Sequence, residues 1–193
     1  IGIGSLALCA NVSGCYNTAM GYSASRLHST GCSNTSYGYQ ALYSTTIGNE
    51  NTAVGMHSLY NSVTSSGNIA VGNNAGKVLV NGSTALTSPD NSTYLGACTR
   101  GSTALDENTT VIGYCACSCG DNTMSFGNAN VTDNYFNGNI RIDNDKNYLA
   151  DTAGGGNISV AKMNGSDNLL IGDGNFVIDI TGTSERMRID SAG

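Results

Sequence analysis

The sequence predicts an all-β parallel solenoid, and three observations predict it. Glycine returns every seventeen residues at Gly4, Gly21, Gly38, Gly55 and Gly72. Other positions keep step with that glycine, as a stacked coil requires. No window of about twelve residues carries an apolar stripe of helical period. The 193 residues include 26 Gly, 24 Asn, one Pro and no Trp, and only 11% are charged.

The columns define the coil. Four residues before the anchoring glycine stand Asn17, Asn34, Asn51 and Asn68; two before it stand Gly2, Ala19, Ser36, Ala53 and Ala70. Directly before it are Ile3, Met20, Tyr37, Val54 and Val71, and three after it Ala7, Ala24, Ala41, Ser58 and Ala75. A second glycine column holds Gly14, Gly31 and Gly48. A period of seventeen is too short for helical repeats or a propeller blade but suits one β-solenoid coil of two or three short strands joined by tight corners. Coils stack at roughly 4.8 Å, so equivalent residues form ladders along the axis. Gly and Asn fit the corners because they tolerate positive φ, and the Asn column reads as an amide ladder.

After Asn73 the period is broken by GKVLVNGSTALTSPD and then resumes with Gly96, Gly113 and Gly127. The break reads as a loop near residues 77–90 inserted at a coil corner. Residues 1–130 are therefore expected to form the solenoid shaft. Residues 131–193 drop the period but carry short alternating strands, NIRID (139–143), NFVIDI (175–180) and RMRID (186–190), as a less regular β region leading toward a further C-terminal domain.

Side chains alternate along a strand, so the columns one and two before the glycine face opposite ways. Size suggests that Ile3, Met20, Tyr37, Val54 and Val71 fill the coil, leaving Gly2, Ala19, Ala53 and Ala70 with the glycines as a face for close approach. Such a coil buries few modest side chains, about 1.5 to 3 kcal/mol each, against an ordering cost of about 1 to 2 kcal/mol per residue. A single solenoid looks under-supported, and association of several chains about a shared axis would supply the missing burial.

The phrasing NTAVG, ALYST and GNENTAVG resembles the YadA-like head repeats of trimeric autotransporter adhesins, and more closely the longer-period versions in tailed-phage tail fibres. The ending SERMRIDSAG (184–193) resembles the segment that leads into a C-terminal intramolecular-chaperone domain in phage fibres. The resemblance implies a homotrimeric fibre, a parallel β-roll or β-helix, serving host-surface attachment in the virion. The coil is longer and richer in cysteine than in the adhesins.

Charge and composition narrow the partners. A net charge of −6 without any Lys/Arg cluster argues against nucleic acid, and no apolar run is long enough to span a membrane. The expected partners are further copies of the chain and a host-surface glycan or protein, with no cofactor and no enzymatic role. Cys15 and Cys32, and Cys98 and Cys115, fall seventeen apart in the repeat, at a Cα separation a disulfide could span; because stacked residues carry parallel Cβ vectors, the pairs read as free thiols that behave as small apolar residues. Cys115, Cys117 and Cys119 in CACSC alternate, so on a strand they would share one face; they are the soft-metal candidates, though the spacing is not C-x-x-C. His28 and His57 do not share a column and have no nucleophile partner. Asp143 with Asp145, and Asp167 with Asp173, are the Ca²⁺ candidates but read as turn residues, and GGGN (154–157) precedes a strand, which disfavours a phosphate cradle. Tyr22, Tyr39 and Tyr114 share one column and Tyr43 and Tyr60 another, giving rows that protect a wall or bind sugar. A bacterial adhesin head and an ice-binding solenoid are the alternatives; the latter needs a flat Thr-x-Thr face, whereas the row Thr18, Thr35, Thr52 breaks at Ile69.

Overall fold

The computed structural model describes residues 1–135 and 137, and beyond them the backbone of five short strands. The chain forms two compact units, Ile1–Asp133 and Asn134–Gly193. In the first, eight strands stack in chain order into one parallel sheet: β1 Gly2–Ile3, β2 Thr18–Met20, β3 Thr35–Tyr37, β4 Thr52–Val54, β5 Ile69–Val71, β6 Thr93–Leu95, β7 Thr110–Ile112 and β8 Met124–Phe126. The register pairs Thr18 with Thr35, Thr35 with Thr52 and Thr52 with Ile69, one strand per coil. The expected two or three strands per coil are thus one; the rest of each turn is corner.

The corners explain why. Each regular coil places three residues at positive φ besides its anchoring glycine. In one coil they are Ser33 (61°), Gln40 (54°) and Leu42 (51°), and in the next Glu50 (58°), His57 (57°) and Leu59 (47°). Left-handed residues reverse the chain abruptly, so the cross-section is narrow. The anchor itself sits at φ 137° in Gly38, and a Cβ there would lie 2.6 Å from the Gly55 carbonyl oxygen. Only glycine satisfies both conditions, which is why that column survives every change around it.

A narrow coil takes small residues inside, and this reverses the expected facing. Ala19, Ala53 and Ala70 are fully buried, joined by Ser36, whereas Ile3 and Tyr37 are 52% and 55% exposed. Met20, Val54 and Val71 are only half-buried. The small column is the interior, stacked on Ala24, Ala41 and Ala75, and the bulky column points outward with the threonine row. The core gains bulk only where Leu42, Leu59, Leu86, Tyr94 and Val111 come together.

The insertion is a hairpin. Val78 pairs antiparallel with Ala85, and Leu79 N–H donates to the Thr84 carbonyl at 2.8 Å. It lengthens one coil, so that Asn68 and Ser92 are 24 residues apart. That longer coil admits Tyr94 where the coils before it carry Gly, Ala or Ser.

In the second unit, β9 Asn147–Asp151, β10 Asn157–Met163 and β11 Leu169–Leu170 form an antiparallel sheet in the order β11-β10-β9, and β12 Phe176–Ile178 pairs antiparallel with β13 Met187–Ile189. The expected strands NFVIDI and RMRID contain that last pair. NIRID, Asp143, Asp145, Asp167, Asp173 and Gly154 to Gly156 lie outside the described residues.

Candidate functional site

Three features of the first unit carry chemistry: the buried amide ladder, the outward strand face and an aromatic wall. The ladder is built from the column before each strand. Asn34 Nδ2 donates to Asn17 Oδ1 at 3.2 Å and to the Gly48 carbonyl at 2.8 Å. Asn51 and Asn68 repeat the pattern, each Nδ2 reaching the preceding Oδ1 at 3.0 Å. Each Oδ1 also accepts the backbone N–H of the next coil's Asn, at 2.9 to 3.1 Å. Each amide therefore satisfies a buried carbonyl and a buried N–H that no strand partner reaches. The column ends when Ser92 N–H donates to Asn68 Oδ1 at 2.9 Å, because serine has no amide to pass the chain onward. The glycines of the repeat, Gly21, Gly38, Gly55, Gly72, Gly96, Gly113 and Gly127, close each strand on the other side.

The outward face has two rows. One is Ile3, Met20, Tyr37, Val54, Val71, Leu95, Ile112 and Phe126; the other is Thr18, Thr35, Thr52, Ile69, Thr93, Thr110 and Met124. Leu95, Phe126 and Met124 are 43%, 49% and 59% exposed. Eight strands in register make this a continuous apolar strip along the axis.

Past the anchoring glycine lies the aromatic wall. Tyr22 and Tyr39 stack with centroids 5.5 Å apart, Tyr43 and Tyr60 at 5.0 Å, and His57 joins the two stacks edge-on at 5.4 and 5.1 Å. Arg26 covers the outer face of Tyr43 and Lys77 that of Tyr60, at 5.7 and 5.3 Å. The column Arg26, Tyr43, Tyr60, Lys77 is a cation, two rings and a cation on four successive coils. The sequence shows the tyrosine rows; it does not show that the two cations complete one of them. His57 Nε2 lies 3.0 Å from Gln40 Oε1, and burial, with Lys77 nearby, holds its pKa below the usual value. His28 is buried elsewhere, with Nε2 2.9 Å from the Gly31 carbonyl and Nδ1 without a partner.

The CACSC residues do not form a strand face. Cys115 takes φ 52° in a corner, and Cys117 makes a single bridge to Arg100. They nonetheless line one open depression of about 630 Å³ with Cys119, Met124 and Phe126. Among the described residues no three His, Cys, Asp or Glu side chains group as metal ligands.

Sequence reasoning missed one buried polar pair. Asp106 is fully buried and accepts from Ser102 Oγ at 2.8 Å, Thr103 N–H at 2.8 Å and Tyr94 Oη at 3.2 Å. Burial first, and the carboxylate second, push the Tyr94 hydroxyl far above its ordinary pKa. The signal available was a tyrosine in an alanine column and an aspartate in a glycine column, both just after the insertion. Comparison with known families, characterised proteins and solved structures gives no match.

Proposed function

We propose that this chain is a structural segment of a homotrimeric fibre, of the tailed-phage tail-fibre kind, whose role in the virion is to support host-cell attachment. One observation carries the reading: a narrow coil with an alanine interior displays its bulky apolar column outward on every strand. An apolar strip of this length on an isolated chain invites a partner. Because the strip lies on one face of the coil stack, three copies about a common axis cover it without leaving a free edge to propagate. The interface is then the outward rows, not the Ala/Gly columns that size alone suggested.

In that assembly the hairpin and the aromatic wall lie beside the strip and are the places for a host-surface glycan or protein to touch. A bacterial adhesin head would use the same geometry. For the ice-binding alternative, Thr18, Thr35 and Thr52 do stack in register. The adjoining row, however, varies from Val54 to Tyr37 and Phe126, which roughens the plane that ice would need.

Native mass under reducing conditions tests the proposal. A value near three times 19.8 kDa, retained in mild denaturant, is expected; a compact monomer would overturn it.

A further inference from the structure

Seven cysteines are free, and four of them stand in pairs on neighbouring coils. Cys15 precedes β2 and Cys32 precedes β3, in the register that sets Thr18 against Thr35. Cys98 follows β6 and Cys115 follows β7, in the register that sets Leu95 against Ile112. Residues stacked in this way sit about 4.8 Å apart at Cα, inside the window of about 4.4 to 6.8 Å that a disulfide bridges.

The first pair is in contact. Cys15 N–H donates to Cys32 Sγ at 3.1 Å, and Ser33 N–H donates back to the Cys15 carbonyl at 2.9 Å. In the same column the next coils place Asn49 Oδ1, Ser66 Oγ and Asp90 Oδ1 to accept the equivalent N–H. Cys32 sulfur thus takes the place of an oxygen acceptor aimed at the coil below, and so at Cys15. Its thiol hydrogen bond and N–H contact from Cys15 lower the Cys32 pKa, while the same thiol bond raises that of Cys15. One sulfur is prepared to be a thiolate and the other to hold the proton. In the second pair both residues occupy left-handed corners, at φ 58° and 52°, and Cys115 N–H reaches the Ala97 carbonyl at 2.9 Å. Cys15 is exposed and the other three are half-buried, so a small oxidant reaches them.

We propose that Cys15–Cys32 and Cys98–Cys115 are cross-coil oxidation sites that close into disulfides with a small-molecule disulfide as oxidant. The Cys32 thiolate attacks oxidised glutathione, forming a mixed disulfide and releasing one glutathione thiolate. Cys15, giving its proton to the released glutathione thiolate, then attacks Cys32 Sγ and expels the second glutathione. Two protein thiols are oxidised, one external disulfide is reduced, and the two thiol protons leave on the two glutathiones. The second pair closes by the same two exchanges. Each bridge ties one coil to the next, so a segment assembled with reduced thiols becomes stapled once its surroundings are oxidising.

The test is to incubate the native protein with oxidised glutathione, alkylate under denaturing conditions, and map the tryptic peptides. Cleavage after Arg26 and after Arg100 separates the partners of both pairs. Expected are two joined peptides, Cys15 to Cys32 and Cys98 to Cys115, with Cys9, Cys117 and Cys119 still alkylated. Cys32→Ser should abolish the first bridge and leave the second. Glutathione retained on Cys32 with Cys15 alkylated, or bridges linking separate copies, would overturn the proposal. So would recovery of all seven cysteines alkylated, or Cys15 of the native protein joined to any cysteine other than Cys32.

Discussion

Replacing Asn51 by alanine isolates what one rung of the ladder contributes. Its Nδ2 donates to Asn34 Oδ1 and, at 2.7 Å, to the Ser65 carbonyl; its Oδ1 accepts the Asn68 N–H and Nδ2. After truncation Asn34 Oδ1 still accepts the backbone N–H of residue 51, and Asn68 Nδ2 still reaches the Ser66 and Pro89 carbonyls. Two groups are stranded in the interior: the Ser65 carbonyl and the Asn68 N–H. At about 1 to 3 kcal/mol for each orphaned buried group, Asn51→Ala should cost about 2 to 6 kcal/mol. Thr52→Ala, one residue on and facing outward, should change stability by less than about 0.5 kcal/mol. Urea denaturation at fixed protein concentration, followed by far-UV circular dichroism, measures both. A loss below about 1 kcal/mol for Asn51→Ala would refute the reasoning, because water or relaxation would then be satisfying those groups.

Other predictions follow from the same geometry. Gly38→Ala meets both a forbidden φ and the Gly55 carbonyl, whereas Gly120→Ala at φ 118° has no atom within 4 Å of its Cβ; the first should lose well over the roughly 1 to 3 kcal/mol of backbone strain expected for the second in the same urea assay. Tyr94→Phe should lose about 1 to 2 kcal/mol at neutral pH, since Asp106 keeps its serine and threonine donors. Because the folded-state pKa of Tyr94 is raised, its contribution is full below about pH 10 and fades as pH rises further. Alkaline denaturation of the wild type should therefore contain a loss that Tyr94→Phe lacks. His57 has the opposite sign: its folded pKa is lowered, so stability should fall as pH drops below about 6.5, and His57→Gln should remove that part of an acid melt. For the proposed trimer, closed on the outward rows, Val71→Glu should leave the circular dichroism spectrum of the coil intact and bring the native mass down to that of a single chain.

What could be read from the sequence were the features that repeat as residue types. The seventeen-residue step, the glycine that closes each strand and the Asn column are visible because only Gly fits a φ near 130° and only an amide both donates and accepts along the axis. The facing of the strand was not legible. Alternation says that Val54 and Ala53 point opposite ways, and bulk then favours Val54 inside. What decides the matter is the narrowness of the coil, set by left-handed residues whose column runs Leu6, Ser23, Gln40, His57, Asn74, Cys98 and Cys115. No shared chemistry marks that column, so the conformation recurs without a sequence signature. Tyr94 and Asp106 were hidden differently: each makes sense only in the coil that the hairpin enlarges.

The end of the amide ladder at Ser92 bears on how the molecule would carry a load. Tension along the axis is resisted by the bonds between one coil and the next, which share the force, while successive coils transmit it in series. From Asn17 to Asn68 every junction has side-chain amide links beside its backbone bonds. At the junction to Ser92 the amide-to-amide link is gone, and Asn68 holds the next coil through the Ser92 N–H on its Oδ1 and its Nδ2 on the Pro89 carbonyl; beyond it the column has only the Thr109 N–H on Ser92 Oγ. A coil stack pulled along its axis should therefore part first at or beyond the end of the ladder, while the amide-laced coils before it stay whole.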